Sequence, residues 1–270
     1  MTTSLMPRIT LTDDQLQAAG SRVGVHSFPT VLAVRPRHGT VDQLHSALDD
    51  ATEALAERGL ISDGSVDTDL VAMLQALQRP DRELAMRLVT PDGTALVSVA
   101  RRGTISVLAR RIGNDIVLGG IASPGELRDA IQALSTELPP SNAAQFEAVG
   151  APLDAMAEAL SGTHDSVVIA DRIRALGAEP RTAMLLGAAL GSRQAFAEVV
   201  YCALVGVEDR VSRGAAAVGV FYTKRGRIIA APSASPTGQL WTTLKPGSDH
   251  AFGKAIGQLV ELSGERWGDS

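Results

Sequence analysis

The sequence is short of cysteine and of aromatic residues: one cysteine in 270 positions, and 3% Phe, Trp and Tyr together. A lone cysteine, Cys202, excludes a disulfide framework within the chain and suits a reducing compartment. The scarcity of aromatics leaves Leu, Val, Ile and Ala to fill the core. With 45% hydrophobic residues, a chain of this length can build a substantial core without covalent staples. No apolar run approaches the ~18 residues of a membrane-crossing helix, which argues against a membrane span. The opening MTTSLMPRITLTDDQ has no basic segment leading into an apolar one, so no secretory leader is predicted. Basic stripes are missing as well, and the formal net charge of −5 argues against a nucleic-acid partner. These absences predict a soluble, cytoplasmic protein.

Signatures of chemistry are scarce too. The five histidines, His26, His38, His45, His164 and His250, have no His or Cys three or four residues away, the spacing a metal site would use. The segment GAALGS lacks the lysine of a phosphate-binding loop, and neither G-x-G-x-x-G nor G-x-S-x-G occurs. Ser248, Asp249 and His250 are consecutive. Residues at a helix start point about 100° apart, so these three do not line up as a triad. Ser248 suits a helix N-cap and Asp249 an acidic first turn. Asp49–Asp50 and Glu208–Asp209 read as solvated surface charge. The sequence therefore predicts no enzyme, no metal and no cofactor; a pocket holding two or more titratable side chains would mark the opposite case.

What is present is a pattern stated twice. In the first half, TVDQLHSALDDATEALAERGL is an amphipathic helix, with Val41, Leu44, Leu48, Ala51 and Leu55 at helical spacing and a Thr40–Gln43 capping box. DTDLVAMLQALQ is a second helix, stopped by Arg79–Pro80. RELAMRLVT then alternates, placing Leu84, Met86 and Leu88 on one face and Arg87 on the other. Turns at Pro91–Gly93, Arg101–Gly103 and Gly113–Asp115 join it to the strands TALVSVA, TISVLARR and IVLGGI. A helix closes the half, with Ser123 as cap, Pro124 at its first position, Glu126 completing a capping box, and Leu127, Ala130, Ile131 and Leu134 as its stripe.

The second half follows the same order. APLDAMAEAL, SVVIADRIRAL and PRTAMLLGAAL read as helices. RQAFAEVVYCALV reads as a strand, so apolar that both faces are predicted to be covered, with Cys202 a core thiol. GAAAVGVFYT, RIIAA and QLWTTL are further strands, and the last helix carries Phe252, Ile256, Leu259 and Val260. Hairpin-length loops make the strands antiparallel, and strand runs separate from helix runs indicate an α+β fold. The predicted architecture is one domain built of repeated halves, 1–140 and 141–270, joined near ELPPSNAAQ. Their sheets merge, a helical layer sits at each end, and a helix-free face offers a platform. The doublets Arg101–Arg102 and Arg110–Arg111 read as an exposed rim. Trp241 suits a packed strand-to-helix corner or a partner contact, and Trp267 a peripheral position near the C-terminus.

The stretch RIIAAPSASPTGQLWTTLKPG after a glycine turn carries a resemblance. Gly226, Arg227, Pro232, Ser233, Gly238, Trp241, Thr242, Pro246 and Gly247 together resemble the EspG family, and LQRPDRELAMRLV resembles that family's helix-to-strand passage. EspG proteins are cytosolic chaperones of mycobacterial type VII (ESX) secretion systems. The resemblance implies a quasi-two-fold α+β fold, with a central antiparallel β-sheet flanked by two helical bundles. It implies binding of PE–PPE heterodimers through an apolar tip of the PPE subunit, keeping them soluble and directing them to secretion, without enzymatic activity or cofactor. The expected docking surface is the sheet of the second half and its edges: Gln194, Glu198, Val218, Val220, Tyr222 and Arg227. The Pro91–Gly93 loop and the Arg101–Arg102 turn are secondary candidates. The alternative is a non-enzymatic scaffold that dimerises through sheet edges without PE–PPE binding, and either reading leaves room for a weak homodimer.

Overall fold

The computed structural model describes residues 8–121, 125–205 and 210–268. The chain opens with strand β1 (Ile9–Leu11) and helix α1 (Asp13–Arg22), followed by a 3-10 turn at Thr30–Leu32. Helix α2 (Val41–Glu57), a small hairpin of β2 (Ile61–Ser62) and β3 (Ser65–Val66), and α3 (Thr68–Gln78) come next. A meander of β4 (Arg82–Thr90), β5 (Gly93–Arg102), β6 (Ile105–Ile112) and β7 (Asp115–Gly120) leads to α4 (Leu127–Ser135). The rest comprises β8 (Val149–Pro152), α5 (Leu153–Leu160), α6 (Ser166–Ala175) and α7 (Pro180–Gly191). A second meander of β9 (Arg193–Val205), β10 (Arg210–Thr223), β11 (Gly226–Ala234) and β12 (Leu240–Pro246) then precedes α8 (Asp249–Leu262).

Ten strands form one antiparallel sheet in the order β1-β7-β6-β5-β4-β9-β10-β11-β12-β8. The α+β class and the large central sheet agree with the expectation. Tight turns make the meanders. Arg102 pairs with Ile105 and Ile112 with Asp115, so each connection has two central residues, the first a glycine with positive φ (Gly103, 55°; Gly113, 58°). Such turns match the twist of the strands they join. The two meanders meet where β4 pairs with β9, from Arg82↔Ala203 to Val89↔Phe196.

Alternation along the strands separates two faces. Leu84, Met86, Val199, Tyr201, Val218 and Val220 face one side, where α8 and α4 cover them in the largest core cluster. The four α8 residues expected in its stripe are all buried there. Serving the other face are two separate cores. One lies under α1–α3 and takes Ala100, Val107, Ala109 and Leu118 from β5–β7. The second lies under α5–α7 and takes Ile228 and Leu244 from β11 and β12. Helices α6 and α7 cross closely because Gly187 has no side chain: a Cβ there would lie 2.3 Å from the Ser166 carbonyl oxygen.

Several expectations need correction. Strand β1, helix α1 and strand β8 were not foreseen, and the segment read as one helix from Ala151 begins as β8. In α2 only Ala51 and Leu55 of the stripe are buried, and Val41 is exposed. Thr40 caps α2 by accepting from the Gln43 amide, but the Gln43 side chain accepts from Gly39, so the box is not reciprocal. Helix α4 starts at Leu127 after Glu126, whose side chain makes no capping bond; Ser123 and Pro124 lie outside the described residues, as do Glu208 and Asp209. The arginine doublets are not a rim. Adjacent strand residues face opposite ways, so Arg101 and Arg111 turn inward and are buried, while Arg102 is exposed. Trp267 is not peripheral: it is 3% exposed and packs on Tyr201, with ring centroids 6.2 Å apart.

Candidate partner-docking groove

The two helical bundles on one face of the sheet leave its middle uncovered. Strands β4, β9 and β10 run there, and their registers stack side chains in rows. Ala85, Val200 and Ala217 form one row, Arg87, Glu198 and Gly219 the next, and Val89, Phe196 and Phe221 a third. Phe196 and Phe221 lie 4.9 Å apart between ring centroids. A groove of about 460 Å³ occupies the opposite end of this strip, with Val200, Cys202, Glu83 and Val211 among its lining residues and Thr30 and Val31 of the 3-10 turn as one wall.

That wall is fixed by a buried ion pair. Arg111 on β6 holds Asp13 at the start of α1 with two bonds, Nη1 to Oδ1 at 2.7 Å and Nη2 to Oδ2 at 2.6 Å. The same Nη1 also donates to the carbonyls of Leu32 and Ala33, at the end of the turn that forms the wall. Position 33 needs this support: Ala33 has φ 49°, a left-handed conformation unfavourable for a residue with a Cβ.

Charge is distributed along the rim. Glu198 pairs with Arg213 at 3.3 Å; the Arg213 side chain is largely in solvent and that of Glu198 half-exposed. Arg87 stands across from Glu198 in register and is exposed. Cys202 is half-buried in the lining rather than sealed in the core. Burial first, and then the nearby Glu83, push its thiol up to about 11, with Arg213 acting in the opposite direction. Its reactive thiolate is scarce at neutral pH, so Cys202 is expected to react with an aromatic disulfide reagent well below the rate of the unfolded chain. Equal rates in native buffer and denaturant would show that the groove does not shield it.

The six expected docking residues divide by face. Glu198 lies on the groove. Gln194 is exposed beside a bulge, where the pairing steps from Tyr222↔Ala195 to Thr223↔Arg193 and leaves it without a partner residue. Val218 and Val220 are 0% exposed in the core beneath α8, and Tyr222 is buried with them. Arg227 is 4% exposed, donates to the Gly247 carbonyl and pairs with Asp249 at the start of α8. Burial thus removes these four from any accessible surface. Ser248 caps α8 by accepting from the Ala251 amide, as expected. Trp241 is half-buried on β12. The residues overlooked were Ala85, Arg87 and Glu83 on β4 and Val200 on β9. One signal was available for Val200: it is two residues from Glu198 and so shares its face.

Among the described residues, no group of three or more His, Cys, Asp or Glu is placed to hold a metal ion. No helix among them is long and apolar enough to cross a membrane.

The chain is 27% identical over 256 residues to the ESX-3 secretion-associated protein EspG3 of Mycolicibacterium smegmatis, covering 93% of this chain and 86% of that protein. It is 26% identical over 263 residues to the ESX-1 secretion-associated protein EspG1 of Mycobacterium tuberculosis, covering 94% and 87%. Its fold matches the M. tuberculosis type VII secretion system chaperone EspG5, solved in complex with a PE25–PPE41 dimer. The TM-score is 0.79, with 20% identity, over 95% of this chain and 96% of the other. The sequence profile of the EspG family matches residues 12–258, and the chain belongs to the EspG family.

Proposed function

We propose that this protein is a cytoplasmic, non-enzymatic chaperone of a type VII (ESX) secretion system. The groove does hold titratable side chains, but the Glu83 carboxyl is held by Ser98 and the Cys202 thiol is pushed up to about 11, which withholds the thiolate a nucleophile would need. It binds cognate PE–PPE heterodimers through an apolar tip of the PPE subunit, keeps them soluble and directs them to secretion. The observation that carries this reading is the open strip of sheet between the bundles, on a fold shared with the EspG5 chaperone of the PE25–PPE41 complex. Small side chains such as Ala85, Ala217 and Gly219 leave room for a rounded helical end, and Val200, Phe196 and Phe221 give it apolar contact. An exposed apolar tip is an aggregation hazard, and a partner that covers it removes the hazard by burying about 1,200–2,000 Å². The rim charges Arg87, Glu198 and Arg213 select among partners more than they add affinity. Gln194, exposed at the bulge, belongs to the same surface in this reading.

The two halves, 1–140 and 141–270, are proposed as repeats of one unit. Supporting this, each half sends its meander outward from the β4–β9 pair and ends on its own first strand, β1 or β8.

Co-expression with PE–PPE pairs from the same genome, followed by size-exclusion chromatography with light scattering, tests the reading. A 1:1:1 complex with at least one pair is expected; no complex with any pair overturns it. Two substitutions then locate the surface. Val200→Trp fills the groove, and Glu198→Arg sets a third cation beside Arg87 and Arg213. Each is expected to weaken binding by about tenfold or more, since one buried clash or repulsion costs over 1 kcal/mol. Glu198→Arg should leave the melting temperature nearly unchanged, because an exposed ion pair contributes about 1 kcal/mol or less. A large fall in melting temperature would mean that Glu198 supports the fold instead.

A further inference from the structure

One group in the groove lining is unlike the rest. Glu83, on β4, is 5% exposed yet lines the groove beside Ala85, Val200 and Cys202. Its Oε1 accepts from the Ser98 hydroxyl at 2.7 Å, and among the described residues it has no other hydrogen bond and no ion pair. The neighbours explain why. Cys202 is its register partner on β9, and on β5 it is flanked by Ala100 and Ser98, both uncharged. Thr30 and Val31 face the same groove from the 3-10 turn. Arg213 on β10 is engaged by Glu198, and Arg87 stands four residues further along β4, past Ala85, at the exposed rim. Arg102, two residues past Ala100 on β5, donates to the Gln75 carbonyl of α3. A buried carboxyl without a cation favours its neutral form. Burial is the larger influence and raises the pKa of Glu83; the bond from Ser98 acts in the opposite direction.

We propose that Glu83 is a specificity determinant of the groove: a neutral carboxyl whose O–H donates to an uncharged acceptor on the docked protein, a free backbone carbonyl at a helix end or a side-chain amide oxygen. The inference rests on the docking reading above. Before docking, water reaches the groove and meets the second carboxyl oxygen. A partner that covers the groove expels that water. If it offers an apolar group there, the carboxyl is left unsatisfied; if it offers a carboxylate, like charges meet once Glu83 ionises. Either mismatch is rejected more strongly than a matched acceptor is rewarded, which is how a buried polar group discriminates. The Ser98 hydroxyl supports this by donating to Oε1, which keeps the proton on Oε2, the oxygen without an internal partner.

The test compares wild-type protein, Glu83→Gln and Glu83→Leu for affinity to a PE–PPE heterodimer that co-purifies with the wild-type chain, from mildly acidic to mildly alkaline buffer. Wild-type affinity is expected to fall as pH rises, because the ionised carboxylate has no proton to donate. The Gln variant keeps a neutral donor and should bind comparably at low pH with a flat profile. The Leu variant should lose about tenfold or more. Its melting temperature should hold or rise, most clearly in alkaline buffer. The sign follows from the raised pKa: the contribution of neutral Glu83 is present at low pH and is lost as pH rises through the folded-state value. Wild-type binding by the Leu variant, or identical pH profiles for wild type and the Gln variant, overturns the assignment. If Val200→Trp abolishes binding while both Glu83 variants bind normally, only the role of Glu83 falls. Should Val200→Trp also bind normally, the docking groove itself is wrong. A Leu variant that fails to fold leaves the pH comparison between wild type and Gln to decide.

Discussion

Asp13→Ala is expected to lower stability by about 3–5 kcal/mol, the cost of leaving a buried charge without its partner. The stranded group is Arg111, 3% exposed, which holds both carboxylate oxygens of Asp13. Arg37 also reaches Asp13, at 3.2 Å, but from a half-exposed position, so it does not replace the carboxylate for Arg111. A loss of this size lowers the melting temperature of a domain this large by on the order of 10 °C. The double variant Asp13→Leu with Arg111→Met should recover part of the loss, since apolar groups of similar volume often replace a buried pair at little cost. The functional consequence is specific. Arg111 also holds the Leu32 and Ala33 carbonyls, so losing the pair loosens the wall of the groove made by Thr30 and Val31. Partner binding by Asp13→Ala, measured well below its melting temperature, should therefore weaken as well. A stability loss below about 1 kcal/mol would mean that water reaches the pair and that it behaves as a surface bridge.

Asp13 also shows where sequence reading stops. Thr12 and Gln15 form a reciprocal capping box at the start of α1, a signal that TDDQ carries in the sequence. RELAMRLVT and RQAFAEVVYCALV match β4 and β9 end to end, whereas β10 begins four residues before GAAAVGVFYT and β11 runs three residues past RIIAA. Its environment was misjudged. An apolar strand looks the same whether its second face meets a helix of its own chain or is left open, so Cys202 gives no hint that it lines a groove, and Val200 only its spacing from Glu198. For the same reason Val218 and Val220 were placed on a surface when they belong to the core beneath α8. Choosing the face requires the register of β9 against its hairpin partner β10 and against β4, and the β4 pairings join residues more than a hundred apart in the chain. Strand alternation decides the arginine doublets as well: Arg101 turns under the segment after α8 and Arg111 under the start of α1, and each finds an acceptor there.

Trp267→Ala is expected to be as damaging as loss of the Asp13 pair, by about 3–5 kcal/mol, although α8 has already ended five residues earlier at Leu262. The segment after α8 folds back over the covered face of the sheet and is held by buried donors. Arg82 Nε donates to the Arg266 carbonyl at 2.8 Å, and its Nη2 reaches the Glu265 carboxylate at 2.9 Å. The Tyr201 hydroxyl donates to the Glu265 carbonyl at 3.1 Å, and Arg101 Nη1 donates to the Trp267 carbonyl. Trp267 is the apolar anchor of this strap, closing the core over Tyr201. Truncating it to alanine opens a cavity and weakens the strap that covers Arg82 and Arg101, which bond the Arg266 and Trp267 carbonyls and the Glu265 carboxylate of that strap. Trp267→Phe should keep most of the stability, because Trp267 Nε1 makes no hydrogen bond among the described residues and an aromatic ring still fills the site. The strap lies on the face opposite the groove. Trp267→Ala should therefore lower the unfolding midpoint in urea while leaving the affinity of the folded fraction for its PE–PPE partner unchanged. Matching losses of stability and affinity would mean that the two faces of the sheet are coupled, and a midpoint equal to wild type would mean that the strap does not hold the core closed.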